Sequence, residues 1–362
     1  MTFELFNIYT TSLIFFIFLF ASFKNIKSDF SINKSERNSS SRIYFFDFIK
    51  GISIVGVVLI HIAYFYYDFN NYGNFSFYQN YIIKIFRFAV PFFIISSGFL
   101  LSLKNFSKNS LFDFYKNKLL RIIIPYFIFC LLIFLLKNNG FNILNFLKEF
   151  ATGNVSTPYY FISVLFQLYI IYPLIIFLFN KFNKLKILII SFFISFLSSL
   201  FLYKFNSLIF FAPYLIYFVF GIYLKYAILN TNILEIIQSK KFIKFNIFIV
   251  IFYLLLGLIG LKDHYSNFQF AYSIALFLII FAYRNKIENK FKIISHLGKN
   301  SLYIFLSHFF IMEFIFNLIK NKFNLKIEFI LFAFLSIIFG IILPTFISTF
   351  LLRIQNSKPN LN

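Results

Sequence analysis

Acidic residues are scarce in this sequence of 362 residues, in which 12 Asp and Glu stand against 34 Lys and Arg. Charged residues make up 13% of the chain and hydrophobic residues 60%, whereas soluble domains have about 25% and about 45–50%. This composition excludes a soluble enzyme, a disordered tail and a nucleic-acid-binding module, and it predicts a protein embedded in lipid. The single cysteine, Cys130, excludes an intrachain disulfide and a CxxC redox or zinc site.

Long apolar runs are abundant, and those near the ~20 residues that cross a bilayer predict transmembrane helices. The predicted spans are 8–23, 44–67, 82–103, 119–136, 159–180, 186–203, 209–229, 243–261, 267–284, 300–320 and 327–352. The first run is short and lacks a basic n-region and a cleavage site, so we interpret it as an uncleaved extra helix. The predicted fold is an all-α integral membrane bundle of ten core helices plus one extra N-terminal helix.

The loops between these spans alternate between rich and poor in Lys and Arg. One set of loops, with the C-terminal tail, holds 24 of these residues and the other set holds 7. Basic loops stay in the cytoplasm, so the sequence predicts a multi-pass protein of the cell membrane with a cytoplasmic C-terminus. The predicted regions are an extra helix (1–27), a polar cytoplasmic linker (28–42), a core membrane domain (43–352) and a tail (353–362).

Polar side chains inside spans are candidates for function, because lipid disfavours them unless they face the bundle interior. His61, Arg87 and Glu313 are predicted at similar depths near the outer ends of three spans. His61 is either a general base or a core histidine, and Arg87 either acts there or snorkels to the interface. Glu313 either orients His61 or is a packing residue, and we interpret His308 as a core histidine. Three further candidates near the outer surface are Tyr160, Ser163 and Gln167.

A second set of polar residues is predicted near the cytoplasmic ends of the spans. Lys50 lies eleven residues before His61, about 16 Å along a helix, and Asp47 either pairs with it locally or has a further role. The inner set comprises Asp47, Lys50 and Ser97, with Lys118 and Arg121 at the cytoplasmic mouth. Basic side chains there are suited to binding phosphate groups.

Five segments resemble the membrane-bound acyltransferase family 3, in matching order along residues 42–350. They are RIYFFDFIKGISIVGVVLIH (42–61), AVPFFIISSGFLL (89–101), KLLRIIIPY (118–126), YYFISVLFQLYIIYP (159–173) and LGKNSLYIFLSH (297–308). The first contains that family's motif of a basic residue, ten residues and a histidine, here Lys50 and His61. One departure is that Leu165 and Phe166 stand where the family often has a pair of glutamates, which favours the branch that modifies surface polysaccharides or sugar precursors.

The resemblance implies transfer of an acyl group, by default acetyl, from acyl-CoA to a hydroxyl of a cell-surface glycan or lipid-linked sugar. Acetyl-CoA would be the co-substrate, and a thioester needs no metal. His61 would be the general base or would carry the acyl group transiently. The alternatives are an exporter of polysaccharide or lipid-linked sugar, which would need two accessible states, and a structural subunit that would not need His61.

Overall fold

The computed structural model describes residues 44–69, 77–101, 108–137, 142–202, 210–228, 231–258, 266–287, 290–320, 322, 325–347 and 349. Every regular element in these ranges is helical, which agrees with the predicted all-α class. The predicted N-terminal helix, the linker 28–42 and the tail 353–362 lie outside the described residues.

The helices are numbered here in chain order. They are α1 (Tyr44–Phe69), α2 (Phe77–Phe86), α3 (Ala89–Leu100), α4 (Lys108–Lys118), α5 (Ile124–Lys137), α6 (Ile143–Thr152), α7 (Tyr160–Lys181), α8 (Lys184–Leu202), α9 (Leu215–Ala227), α10 (Thr231–Gln238), α11 (Lys240–Leu258), α12 (Ser266–Ala282), α13 (Arg284–Ile287), α14 (Lys292–Lys299), α15 (Ser301–Ile319) and α16 (Leu325–Ile337). Short 3₁₀ turns at Thr157–Tyr159 and Ala212–Tyr214 precede α7 and α9.

Six helical stretches among the described residues are long and apolar enough to cross a bilayer. They are Tyr44–Phe65, Tyr81–Leu100, Leu111–Lys137, Thr157–Lys181, Ser301–Ile319 and Ile327–Ile347. Four other predicted spans coincide with α8, α9, α11 and α12, which do not reach this threshold of length and composition. The structure therefore supports a polytopic membrane protein but does not confirm the count of ten core helices plus one.

Helix α1 lies at the centre of the bundle and packs against α2, α3, α14, α15 and α16. Its apolar side chains are buried along most of its length, from Phe45 and Ile49 to Val58 and Ile62. We call the end that holds Lys50 the inner end and the end that holds His61 the outer end, following the predicted orientation. Both ends are thus held by several neighbouring helices.

Glycines allow two of the closest helix contacts. A Cβ at Gly298 of α14 would overlap the carbonyl of Asp47, and one at Gly51 would overlap the carbonyl of Ile294. Gly98 of α3 and Gly221 of α9 approach each other's helix backbone in the same way. Small residues let helix backbones approach in this manner where lipid supplies no hydrophobic driving force.

Two π-helical turns interrupt the helices, at Leu119–Ile123 and Ile338–Ile342. Each ends two residues before a proline, Pro125 or Pro344. Proline has no N–H to donate and its ring crowds the carbonyl four residues earlier, so a wider turn relieves the clash. Arg121 lies in the first of these turns and is exposed.

Candidate active site

His61 lies in the outer half of α1, against α15. Its ring centroid is 5.0 Å from that of Phe309, 5.3 Å from that of His308 and 6.1 Å from that of Tyr64. The side chain is 9% exposed. Its Nδ1 atom is buried and has no hydrogen-bond partner among the described residues. Buried polar atoms are usually paired, but Ser96 Oγ and Ser336 Oγ also lack a partner among the described residues, so the missing partner alone does not distinguish this histidine.

His308 is fully buried on α15 beside His61. Its Nδ1 lies 3.0 Å from the carbonyl oxygen of Ile304 and 2.9 Å from that of Phe305. Carbonyl oxygens only accept, so Nδ1 carries the proton and Nε2 of the neutral ring is an acceptor. Nε2 is buried and likewise has no partner among the described residues. Two neighbouring imidazoles therefore each keep one nitrogen unsatisfied.

Glu313 and Arg87 have partners other than His61. The Glu313 carboxylate lies 2.8 Å from Nζ of Lys137, at the end of α5, and both side chains are 36% exposed. Arg87 lies in the turn between α2 and α3, and its carbonyl accepts from Gln269 Nε2 at 3.1 Å. The structure records no hydrogen bond or ion pair between either residue and His61. A role of Glu313 or Arg87 at His61 therefore stays a prediction.

The three residues predicted to bind the acceptor differ in their surroundings. Tyr160 lies within hydrogen-bonding reach of the Tyr214 hydroxyl and close to Tyr64, one turn beyond His61. Ser163 Oγ donates to the carbonyl of Ala151 at 3.1 Å, and Gln167 Oε1 accepts from the backbone N–H of Phe211 at 3.3 Å.

The inner end of α1 is densely packed and basic. Asp47 is buried, whereas Lys50 is half-buried. Helix α14 packs against this end and carries Lys299, whose Nζ lies 5.2 Å from the centroid of the Tyr44 ring. The structure thus places Lys299, which lies between two predicted spans, beside the inner end of α1.

A series of contacts leads from Lys118 through α7 and α9 to α3, where Ser97 lies. Lys118 Nζ is 4.1 Å from the centroid of the Tyr169 ring, and that ring is 6.3 Å from the ring of Phe218 on α9. The Phe218 carbonyl in turn lies against Gly98, the neighbour of half-buried Ser97. These contacts connect Lys118 to α3, but the structure records no contact between Lys118 and Lys50.

A family model described as an acyltransferase domain matches residues 43–349 of the chain. The chain belongs to acyltransferase family 3. No curated protein and no solved structure matches it at a significant level. Membership of this family indicates that the protein is an acyltransferase.

Sequence analysis interpreted His308 as a core histidine and left Lys299 in a connecting loop, whereas the structure places the first beside His61 and the second beside Tyr44. The available signal for His308 was that the chain has only four histidines and that two of them lie well inside spans. The signal for Lys299 was weaker, because α14 is short and its basic residues resemble those of any cytoplasmic loop. Both residues are brought to α1 by tertiary packing, which periodicity and depth do not determine.

Proposed function

We propose that this protein transfers an acyl group, by default acetyl, from cytoplasmic acyl-CoA to a hydroxyl of a cell-surface glycan or lipid-linked sugar. The observation that carries the proposal is the buried pair of His61 and His308, each with an unpartnered ring nitrogen. His61 lies eleven residues along α1 from Lys50, about 16 Å on a helix. A site for recognition and a site for chemistry would thus share one rigid element.

The inner end would receive the nucleotide part of acyl-CoA. Lys50, Lys118, Arg121 and Lys299 are the cations available to its phosphates, as point charges or, for Arg121, as a planar two-point donor. Asp47 and Ser97 lie in the same layer, where a carboxylate and a hydroxyl can orient these cations or bond the ligand directly. The pantetheine arm would then extend along α1 towards His61.

His308 would hold His61 in the reactive tautomer. The His308 Nδ1 proton is directed to helix carbonyls. Its Nε2 and His61 Nδ1 are both unpaired in this structure, so a rotation of the His61 ring would be needed to bring Nδ1–H into a hydrogen bond with Nε2. That arrangement leaves the lone pair of His61 Nε2 to accept the proton of the acceptor hydroxyl. In this proposal His308 replaces the carboxylate that orients the histidine in many hydrolases.

The chemical step balances without a further reactant. As the acceptor oxygen bonds to the thioester carbonyl carbon, its proton passes to His61 Nε2. The tetrahedral intermediate then expels the CoA sulfur, the C–S bond breaks and the imidazolium returns the proton to the thiolate. The products are the O-acyl glycan and free CoA, and His61 is neutral again.

Purified protein in detergent or nanodiscs tests this proposal with radiolabelled acetyl-CoA. His61→Ala should lower the rate of acetyl transfer or of acetyl-CoA hydrolysis by about 10²–10⁴-fold, the usual contribution of a general base. The variant should stay folded, with a melting temperature close to that of the unchanged protein. A fully active His61→Ala protein would contradict the proposal, and loss of folded protein would favour a structural histidine.

A further inference from the structure

Helix α6 turns back along α5 towards the depth of the histidine pair. Phe146 contacts the rings of Phe134 and Phe127 at centroid distances of 5.3 and 5.6 Å. One turn later, Phe150 stacks on Tyr126 at 4.9 Å, and the Tyr126 hydroxyl donates to its carbonyl at 2.7 Å. Tyr126 precedes the outer end of α5 at Lys137 by eleven residues, about 16 Å. Helix α6 therefore re-enters the layer that α5 crosses.

The chain after α6 reverses at the level of His308. Gly153 has φ +74°, a left-handed conformation that glycine adopts without strain, and a Cβ there would also press on the backbone of Tyr159 and Tyr160. The Tyr159 hydroxyl donates to the carbonyl of Leu306, two residues before His308. The turn 153–157 thus packs on Tyr159, which contacts α15 two residues before His308.

This turn exposes polar side chains and irregular backbone at that depth. Asn154 and Thr157 are exposed, whereas Val155 and Ser156 between them are buried. Non-helical backbone within a membrane occurs where it is buried in protein or lines a water-filled cavity, and not against lipid. Asn154 and Thr157 are not buried in protein, so at this depth the turn would have to line a water-filled cavity and not face lipid.

Helix α6 has three distinct faces. Phe146 and Phe150 face α5, and Leu144 and Leu147 form an exposed apolar face. Four polar residues spaced three and four apart form a polar stripe: Asn145, Lys148, Glu149 and Thr152. Residues at this spacing share one side of a helix, so the stripe continues from the outer surface to the turn at Asn154.

We infer that this stripe and the turn 153–157 bind the acceptor, a polyhydroxylated glycan segment that enters from the outer side. Amide and hydroxyl groups, with one cation and one anion, suit the alternating donors and acceptors of sugar hydroxyls better than a polyanion. The inference rests on the proposed function, because it supplies the hydroxyl that His61 deprotonates. The relevant structural claim, a water-filled path to the turn, is nevertheless independent of activity.

Cysteine labelling tests the path. Asn154→Cys should react with a membrane-impermeant maleimide added to the outer side, whereas Leu147→Cys, on the apolar face of α6, should not. The native Cys130 is buried, so the unchanged protein serves as the background. An unreactive Asn154→Cys protein, in which a small permeant maleimide does react, would overturn the inference.

Kinetics then test the ligand. Asn154→Ala and Thr157→Val should each raise the acceptor KM about tenfold, the effect of one lost hydrogen bond of ordinary strength. The KM for acetyl-CoA and the rate of acetyl-CoA hydrolysis without acceptor should not change. A raised acetyl-CoA KM with an unchanged acceptor KM would overturn the assignment. Failure of the proposed function is distinguishable, since it would leave the unchanged protein without acetyl transfer, or His61→Ala fully active, whatever the labelling result.

Discussion

The inner and outer ends of α1 differ in how their polar groups are satisfied. At the inner end, glycines bring α14 against the helix and place Lys299 beside Tyr44 and the layer of Lys50. At the outer end, His61 and His308 lie side by side with one unsatisfied nitrogen each. Partly exposed cations bind an anion with little rearrangement, whereas buried unsatisfied nitrogens favour proton transfer. The difference suggests a division between recognition and chemistry within one helix.

Among the substitutions that distinguish the two ends of α1, those of His308 should have the largest effect, a loss of kcat. His308→Leu removes the acceptor for His61 Nδ1–H and should lower kcat about 10–100-fold, with little change in the KM for acetyl-CoA. His308→Gln keeps an acceptor oxygen and should recover a substantial part of that kcat. Steady-state kinetics with radiolabelled acetyl-CoA measure both variants.

If His308 served only the packing of the helices, activity and stability would change together. The two variants would then lose activity in proportion to their loss of thermal stability, and glutamine would give no rescue. Melting temperatures of both variants in the same detergent provide the control.

Substitutions at the inner end should have a smaller effect, and they should change the KM for acetyl-CoA and not kcat. Lys50→Ala and Lys299→Ala should each raise the KM for acetyl-CoA about 3–10-fold and leave kcat nearly unchanged, because each removes one phosphate contact. Lys181→Ala is the matched control, since Nζ of Lys181 lies over the rings of Phe177 and Phe182 next to it on the chain. Wild-type KM values in both variants would show that the nucleotide does not bind at this end.

The smallest effect is expected at Glu313. Its partner is Lys137, and both side chains are partly exposed, so the pair should contribute about 0.2–1 kcal/mol to stability. Glu313→Gln and Lys137→Met should each change kcat less than about threefold and shift the melting temperature slightly. A large loss of kcat in Glu313→Gln with normal activity in Lys137→Met would restore Glu313 as a group that acts on His61.

Much of this organisation could be predicted from the sequence. In a lipid environment, the length of apolar runs predicts the spans, and charged residues within those runs indicate candidate functional sites. The helical class, the core helix with Lys50 and His61, and membership of the acyltransferase family followed from runs and motifs. The prediction that Glu313 acts on His61 used depth alone and stays a prediction, because depth does not determine which sides of two helices meet. The pairing of His61 with His308, the close approach of α14 and the re-entry of α6 depend on glycine contacts and aromatic packing between distant segments.

The central claim is that donor and acceptor meet at His61 from opposite ends of α1. Sealed vesicles of known orientation, supplied with labelled acetyl-CoA on the side of Lys50 and glycan acceptor on the other side, test it most directly. We expect labelled acceptor on the side opposite the acetyl-CoA, and at least a hundredfold less of it with His61→Ala. Transfer only when both substrates are on one side, or undiminished transfer by His61→Ala, would contradict it.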